Sequence, residues 1–381
     1  MKSTAVLALG TFAVGTDAFI VAGFLPAMAS SLHVSTAAAG QSVTVFALSY
    51  AVLAPVVATV TARLPRRRLL VAALTVLFLA NLGSALAPNL PILILTRVLA
   101  AAGAAGYTPN AGAAAAALVR QEQRGRALAV VVGGLTVATA LGVPLGSLFG
   151  RLFDWRPVLA GVAMLCLLVA AGVHLVMPEL PGNPRTPLRQ RLAVLRRPGV
   201  FVVLPLTVIG MASCYTAYAY SVPALHASGM PLSAASTILF LYGVGAVLGN
   251  LTAGYATDRW GWAVVLGTAY VAMAATLAGL GRLAATHAAV PALVGLLALV
   301  WGASSWAQTP PQQHRLIAAA PGESPLVISL NSSGIYLGIA LGTTLGGVTF
   351  HRGFPTMYAI GAAGAVLALL ILLASARRTG R

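Results

Sequence analysis

Apolar residues in this chain neither alternate nor recur on one helical face. They run on for about twenty positions at a time, broken by short clusters of charge, proline or turn residues. Runs of that width match the ~20 residues a helix needs to cross a hydrocarbon core about 30 Å thick. Six fall near 5–28, 39–61, 69–88, 91–118, 127–150 and 157–177, and six more near 200–222, 234–257, 262–283, 289–309, 325–349 and 355–375. In lipid only a helix satisfies its own backbone over such a width, whereas a closed barrel shows short alternating segments. The pattern predicts an all-α polytopic membrane protein with twelve transmembrane helices. The first run ends near Ala27-Met28-Ala29 and imitates a signal peptide. It exceeds an h-region of ~7–15 residues and contains Asp17, so it is read as a retained first span.

Composition sharpens this reading. Of 381 residues 59% are hydrophobic and 8% charged, against roughly 25% charged in soluble domains. A formal net charge of +17 invites a nucleic-acid reading, but the basic residues lie between the apolar runs rather than on one face. With the amino terminus inside, the inner loops hold 18 of the 23 basic residues and the outer loops four: Arg151, Arg156, Arg282 and Arg352. Arg97 alone lies within a run. That asymmetry places both termini in the cytoplasm of a bacterial-type plasma membrane. Cys166 and Cys214 sit in apolar runs as small core residues. The six histidines lack metal-ligand spacing and no GxxxxGK phosphate loop occurs, which argues against an enzyme, a metal site and direct ATP drive. No cofactor is expected.

The longest connection, PELPGNPRTPLRQRLAVLRRPG at 178–199, reads as a cytoplasmic linker with a short amphipathic helix at 188–195. It separates a bundle of six spans at 1–177 from another at 200–381. The halves share an offset. Gly142, Gly146 and Gly150 recur 196 residues later as Gly338, Gly342 and Gly346, and the Ala58-to-Arg63 span end recurs as Gly254-to-Arg259. Two matches at one offset indicate a parallel tandem repeat. Glycines four apart form a groove that lets helices approach closely. The expectation drawn from the repeat is a seam between the halves, with packing inside one half as the alternative.

These residues resemble the major facilitator superfamily, in particular its twelve-helix drug:proton antiporters of the chloramphenicol-resistance and arabinose-efflux type. The carriers are GTDAFIVAGFLP from Gly15, LTRVL from Leu95, Gly142-Val-Pro144-Leu-Gly146, and GYATDRWG from Gly254 to Gly261. The resemblance covers essentially the whole chain. It implies two six-helix pseudo-repeat bundles around a central cavity, rocking between inward-open and outward-open states. The loop after span two departs from the family pattern: Ala62 and Pro65 stand beside Arg63 where the family has an acidic residue and a glycine. A charge-based gate in that loop is therefore in doubt. Asp258 and Arg259 read either as a solvated helix end or, by the resemblance, as a latch of the outward-facing state.

Of six carboxylates only Asp17 lies deep within a span, at a cost of about 2.5–3.5 kcal/mol on insertion scales if left bare. Helix rise puts Asp17 and Arg97 within ~3 Å of one level, within reach of an arginine side chain. Their positions 196 residues on are Ser213 and Leu293, so the second half has no counterpart. The pair is either a structural ion pair or the proton-coupling site, Arg97 favouring the carboxylate and an apolar surround the neutral acid. Aromatic or uncharged polar residues that interrupt the spans are candidates to line the cavity: Phe19, Phe46, Tyr50, Tyr107, Asn110, Tyr215, Tyr218, Trp301, Trp306, Gln308, Asn331 and Tyr336. They describe an aromatic pocket with few hydrogen-bonding groups, suited to small lipophilic compounds. The expected function is proton-driven efflux of such compounds by a monomer whose partners are substrate, protons and the bilayer. Export of sugars or nucleosides, or an uptake symport, remains an alternative on the same fold.

Overall fold

The computed structural model describes residues 2–120, 123–182, 189, 193–287, 290–320 and 324–379. Among the described residues twelve helices are long and apolar enough to cross a membrane. They run Ser3–Gly23, Thr36–Val60, Arg66–Ala85, Leu90–Ala117, Val130–Gly150 and Trp155–Val176, then Gly199–Tyr218, Ala234–Trp260, Trp262–Thr286, Pro291–Ala319, Leu326–Arg352 and Phe354–Ser375; they are called spans one to twelve. Glu122 and Glu323, and half of the expected 188–195 helix (188 and 190–192), lie outside the described residues. The described end of the linker is a 3-10 turn, Val194–Arg196. Odd-numbered spans start from the face that carries the linker, here the linker face.

Spans one and seven are shorter than the apolar runs suggested. Span one tightens into a 3-10 turn at Val21–Gly23, breaks at Phe24, and a separate helix Leu25–Ser31 follows with proline in its first turn. The second half repeats this 196 residues on: the helix ends at Tyr218 and a short helix Ser221–Ala227 follows a break at Tyr220. Even the backbone angles recur, φ −117° and ψ 19° at Phe24 against φ −109° and ψ 18° at Tyr220. His33 and Gly229, also 196 apart, both take positive φ. Span ten is longer than expected, a helix Pro291–Ala307 continuing through Gln308 into Thr309–Ala319. That extension carries Arg315 onto a span instead of a loop.

The contacts obey the same repeat. Span one packs on five and six, two on four, and three on four and six; seven packs on eleven and twelve, eight on ten, and nine on ten and twelve. Between the two sets the main contacts are span two with eleven and span five with eight. The glycine stripes, however, are not that seam. A Cβ on Gly146 would strike the Ile20 carbonyl of span one, and a Cβ on Gly342 the Ala212 carbonyl of span seven. Gly142 and Gly150 likewise face Phe19 and Phe24, and Gly338 and Gly346 face Met211 and Thr216. Both stripes therefore pack within a half. The cross-half contacts of the same spans use other faces, as where Ser236 donates to Ser147 at 3.2 Å. Pro144 lies inside the span-five helix.

At the linker face the loop after span two is held without the acid and glycine of the usual signature. Arg66, counted as a loop charge from sequence, is buried and donates to Asn110 Oδ1 of span four at 2.6 Å. Arg67 and Arg68 pair with Glu179 of the linker at 3.0 and 3.2 Å, and the Arg66 amide donates to the Leu180 carbonyl at 2.9 Å. Gly182 lies so close to the Arg63 backbone that any side chain would clash. The Arg63 side chain itself is exposed. A charge-assisted hydrogen bond to a buried amide contributes about 1.5–3 kcal/mol. Asn110→Ala is thus expected to lower stability by that amount, read as an earlier thermal transition of the purified protein, whereas Arg63→Ala leaves it unchanged.

Candidate functional site

Asp17 stands one turn before span one tightens at Val21–Gly23, where helix carbonyls are less committed to the amide four residues on. Arg97 reaches it from span four. Its Nη1 donates to Asp17 Oδ1 at 2.6 Å and its Nη2 to the Asp17 backbone carbonyl at 3.2 Å. Asp17 is fully buried and Arg97 is 1% exposed, the one ion pair so enclosed among the described residues. The guanidinium also lies over the Phe46 ring, 4.5 Å from its centroid, a contact that strengthens when desolvated. Among the described residues Asp17 Oδ2 and Arg97 Nε have no hydrogen-bond partner. Arg97 thus holds one oxygen of the carboxylate and leaves the other unpaired among the described residues.

Phe46 links this pair to the centre of the molecule. It lines a narrow void with Phe19, Tyr215, Tyr218, Tyr336 and Ile339, at the junction of the halves. Tyr50 stacks on Tyr336 across the seam, ring centroids 3.8 Å apart, and Phe19 meets Trp306 edge-on at 6.2 Å. The Tyr215 hydroxyl and Trp306 indole N–H are buried without partners among the described residues. On the linker side of these rings a cavity of about 480 Å³ opens between spans two, four, five, eight, ten and eleven, within the 300–1,000 Å³ usual for small-molecule sites. Tyr50 and Trp306 form part of its wall. Toward the opposite face the short helices 25–31 and 221–227 touch, and the Tyr220 hydroxyl donates to the Thr343 carbonyl at 3.2 Å. The site is open to the linker face and closed to the other.

Seven of the twelve sequence candidates for the cavity reach the cavity or the void. The other five serve neighbours instead. The Tyr107 hydroxyl donates to the Leu7 carbonyl at 3.1 Å beside Gly10, and Asn110 is taken by Arg66. Trp301 belongs to a core of rings with Tyr242 at 4.9 Å and Tyr218 at 6.2 Å. Gln308 accepts from Tyr270 at 3.3 Å and donates to the Ser305 carbonyl at 2.8 Å. Asn331 accepts from Thr207 at 3.1 Å and leaves its Nδ2 unpaired. Sequence reading missed small polar residues of the wall: Thr136, Thr139, Asn250, Gln313, Ser329 and Ser332. A hydroxyl on a lipid-spanning helix can be absorbed by its own backbone, so the threonines and serines gave no signal; Gln313 lies past the predicted end of span ten. The wall is richer in hydrogen-bonding groups than expected, and it carries no charge. Asp258 and Arg259 are exposed and form no ion pair among the described residues; Gly254 has open space where a Cβ would stand, and Gly261 ends span eight at φ +80°.

The comparisons agree with this architecture. The Major Facilitator Superfamily profile matches residues 7–321. YbcL, an MFS-type transporter of Bacillus subtilis, is 31% identical over 370 residues, covering 97% of this chain and 94% of its own. A chloramphenicol resistance protein of Streptomyces lividans is 32% identical over 380 residues, covering 98% and 95%. The crystal structure of a D-xylose–proton symporter superposes with a TM-score of 0.79 at 17% identity, covering 97% of this chain and 96% of that one, a likeness of fold alone. Two halves repeating at one offset, a cavity between them and a profile match over most of its length leave one conclusion: the chain belongs to the major facilitator superfamily and is a multi-pass membrane transporter, not an enzyme.

Proposed function

We propose that the protein exports small lipophilic compounds of the chloramphenicol kind in exchange for protons, by rocking of the halves 1–177 and 200–381. The observation that carries this reading is the Asp17–Arg97 pair, sealed behind Phe46 at the void where the halves meet. With the linker face in the cytoplasm, as the arginine distribution expects, the cavity opens inward and the Asp17–Arg97 pair is formed. An outward-open state would admit a proton to Asp17, release Arg97 and free the substrate outward. The uncharged wall suits a neutral substrate, and the Streptomyces lividans relative's name supplies the substrate class. Asp258 and Arg259, exposed and in no ion pair among the described residues, fit a latch that engages only in the other state.

A second reading rests on the wall's hydroxyls and amides, which could pair with a hydroxylated solute taken up by symport. Everted vesicles acidified by respiration separate the two. Drug antiport predicts that adding chloramphenicol-like compounds releases the quenched pH probe only when the protein is present. A symporter carries solute and proton the same way, so in vesicles without respiration acidification of the lumen on adding sugars or nucleosides, with none on adding drugs, would point to the second reading.

A further inference from the structure

Outside the transport path, a cleft of about 660 Å³ lies between the linker-face ends of spans seven, nine, ten and twelve. Its walls are apolar, with Val202, Val203, Ala318 and Ile371 among them. At its edge stands Arg315, half-buried on the extension of span ten that sequence reading placed in a loop. Its guanidinium is fixed from two sides. It lies 4.3 Å over the Trp262 ring, and its Nη1 donates to Gln312 Oε1 at 3.0 Å. Gln312 is itself buried and donates to the Tyr270 hydroxyl at 3.5 Å, so the anchor runs into the core of the bundle. Yet no carboxylate lies within ion-pair distance of Arg315 among the described residues. His314 lines the same cleft and is exposed, as is Arg197 at the start of span seven.

A fixed cation with its remaining N–H groups unassigned, above a greasy cleft at the membrane boundary, needs an anion that is also apolar. A guanidinium pairs with phosphate oxygens through two parallel hydrogen bonds, and the apolar walls suit acyl chains. We propose that this cleft binds an anionic phospholipid of the leaflet at the linker face, its phosphate on Arg315 and its chains along Val202, Ala318 and Ile371. A zwitterionic lipid would bring its own cation beside the Arg315 guanidinium, and so binds less well. The inference is independent of which substrate is carried.

Native mass spectrometry of the purified full chain, doped with phosphatidylglycerol or phosphatidylcholine, tests it. The expected result is retention of phosphatidylglycerol over phosphatidylcholine. Arg315→Gln should lower that retention about fivefold, the worth of one basic residue near an anionic surface. Ala318→Trp, which fills the wall and keeps the charge, should lower it as well, while Arg282→Gln on the opposite face leaves it unchanged. Equal retention of both lipids overturns the proposal, as does retention unaffected by Arg315→Gln or by Ala318→Trp. Displacement of the lipid by millimolar inorganic phosphate would mark a free-anion site and overturn it too. Should Arg315→Gln fail to yield folded protein, Ala318→Trp alone decides.

Discussion

Asp17→Asn is expected to abolish uphill transport while downhill exchange of substrate continues. The amide oxygen can still accept from Arg97 Nη1, and the bond from Nη2 to the Asp17 carbonyl is untouched, so the helices stay in register. What is lost is the exchangeable proton. One proton moved per neutral substrate across 100 mV contributes about 2.3 kcal/mol, a gradient of about fiftyfold, and that gradient should collapse to none. The variant also leaves a buried guanidinium without its counter-ion, so a lowered melting temperature accompanies the loss. Arg97→Ala is the harsher change: it strands a buried carboxylate, for which the usual loss is about 3–5 kcal/mol. Accumulation of substrate against a gradient, measured beside counterflow in the same vesicles, separates lost coupling from lost protein.

Gly146→Leu and Gly342→Leu should each prevent stable assembly of one half. At both positions the partner is backbone, the Ile20 carbonyl in one half and the Ala212 carbonyl in the other, and backbone cannot rotate away as a side chain can. Overpacking costs about 1–3 kcal/mol where neighbours yield; here spans one and five, or seven and eleven, have to separate along their length, so the loss should be about 3 kcal/mol or more. Folded yield after size-exclusion chromatography reads it directly. Gly254→Ala is the contrast, since nothing lies within 4 Å of the added atom, and its yield should match the parent's.

The sequence made the twelve spans, the offset of 196 and the Asp17–Arg97 meeting legible for one reason each. Apolar width, exact recurrence and a lone charge in lipid have few competing explanations. The glycine stripes were legible as close packing but not as to partner, because a groove records only that something approaches it. Asn110 and Gln308 looked like cavity residues because a polar side chain in a span reads alike whether it greets a ligand or a buried neighbour. Arg66 and Arg315 lie at helix ends, where a charge reads as solvated; their burial follows from Asn110 in one case and from Trp262 with Gln312 in the other. The breaks at Phe24 and Tyr220 sit inside uninterrupted apolar runs, and only Pro26 and Pro223 hinted at them.

The most direct test of the central claim is proton movement counted against substrate movement in proteoliposomes of one orientation. The account predicts that the wild-type protein moves protons opposite to a chloramphenicol-like substrate at a fixed ratio, and that Asp17→Asn exchanges the substrate with no proton movement. Proton movement at the wild-type ratio in that variant would contradict it.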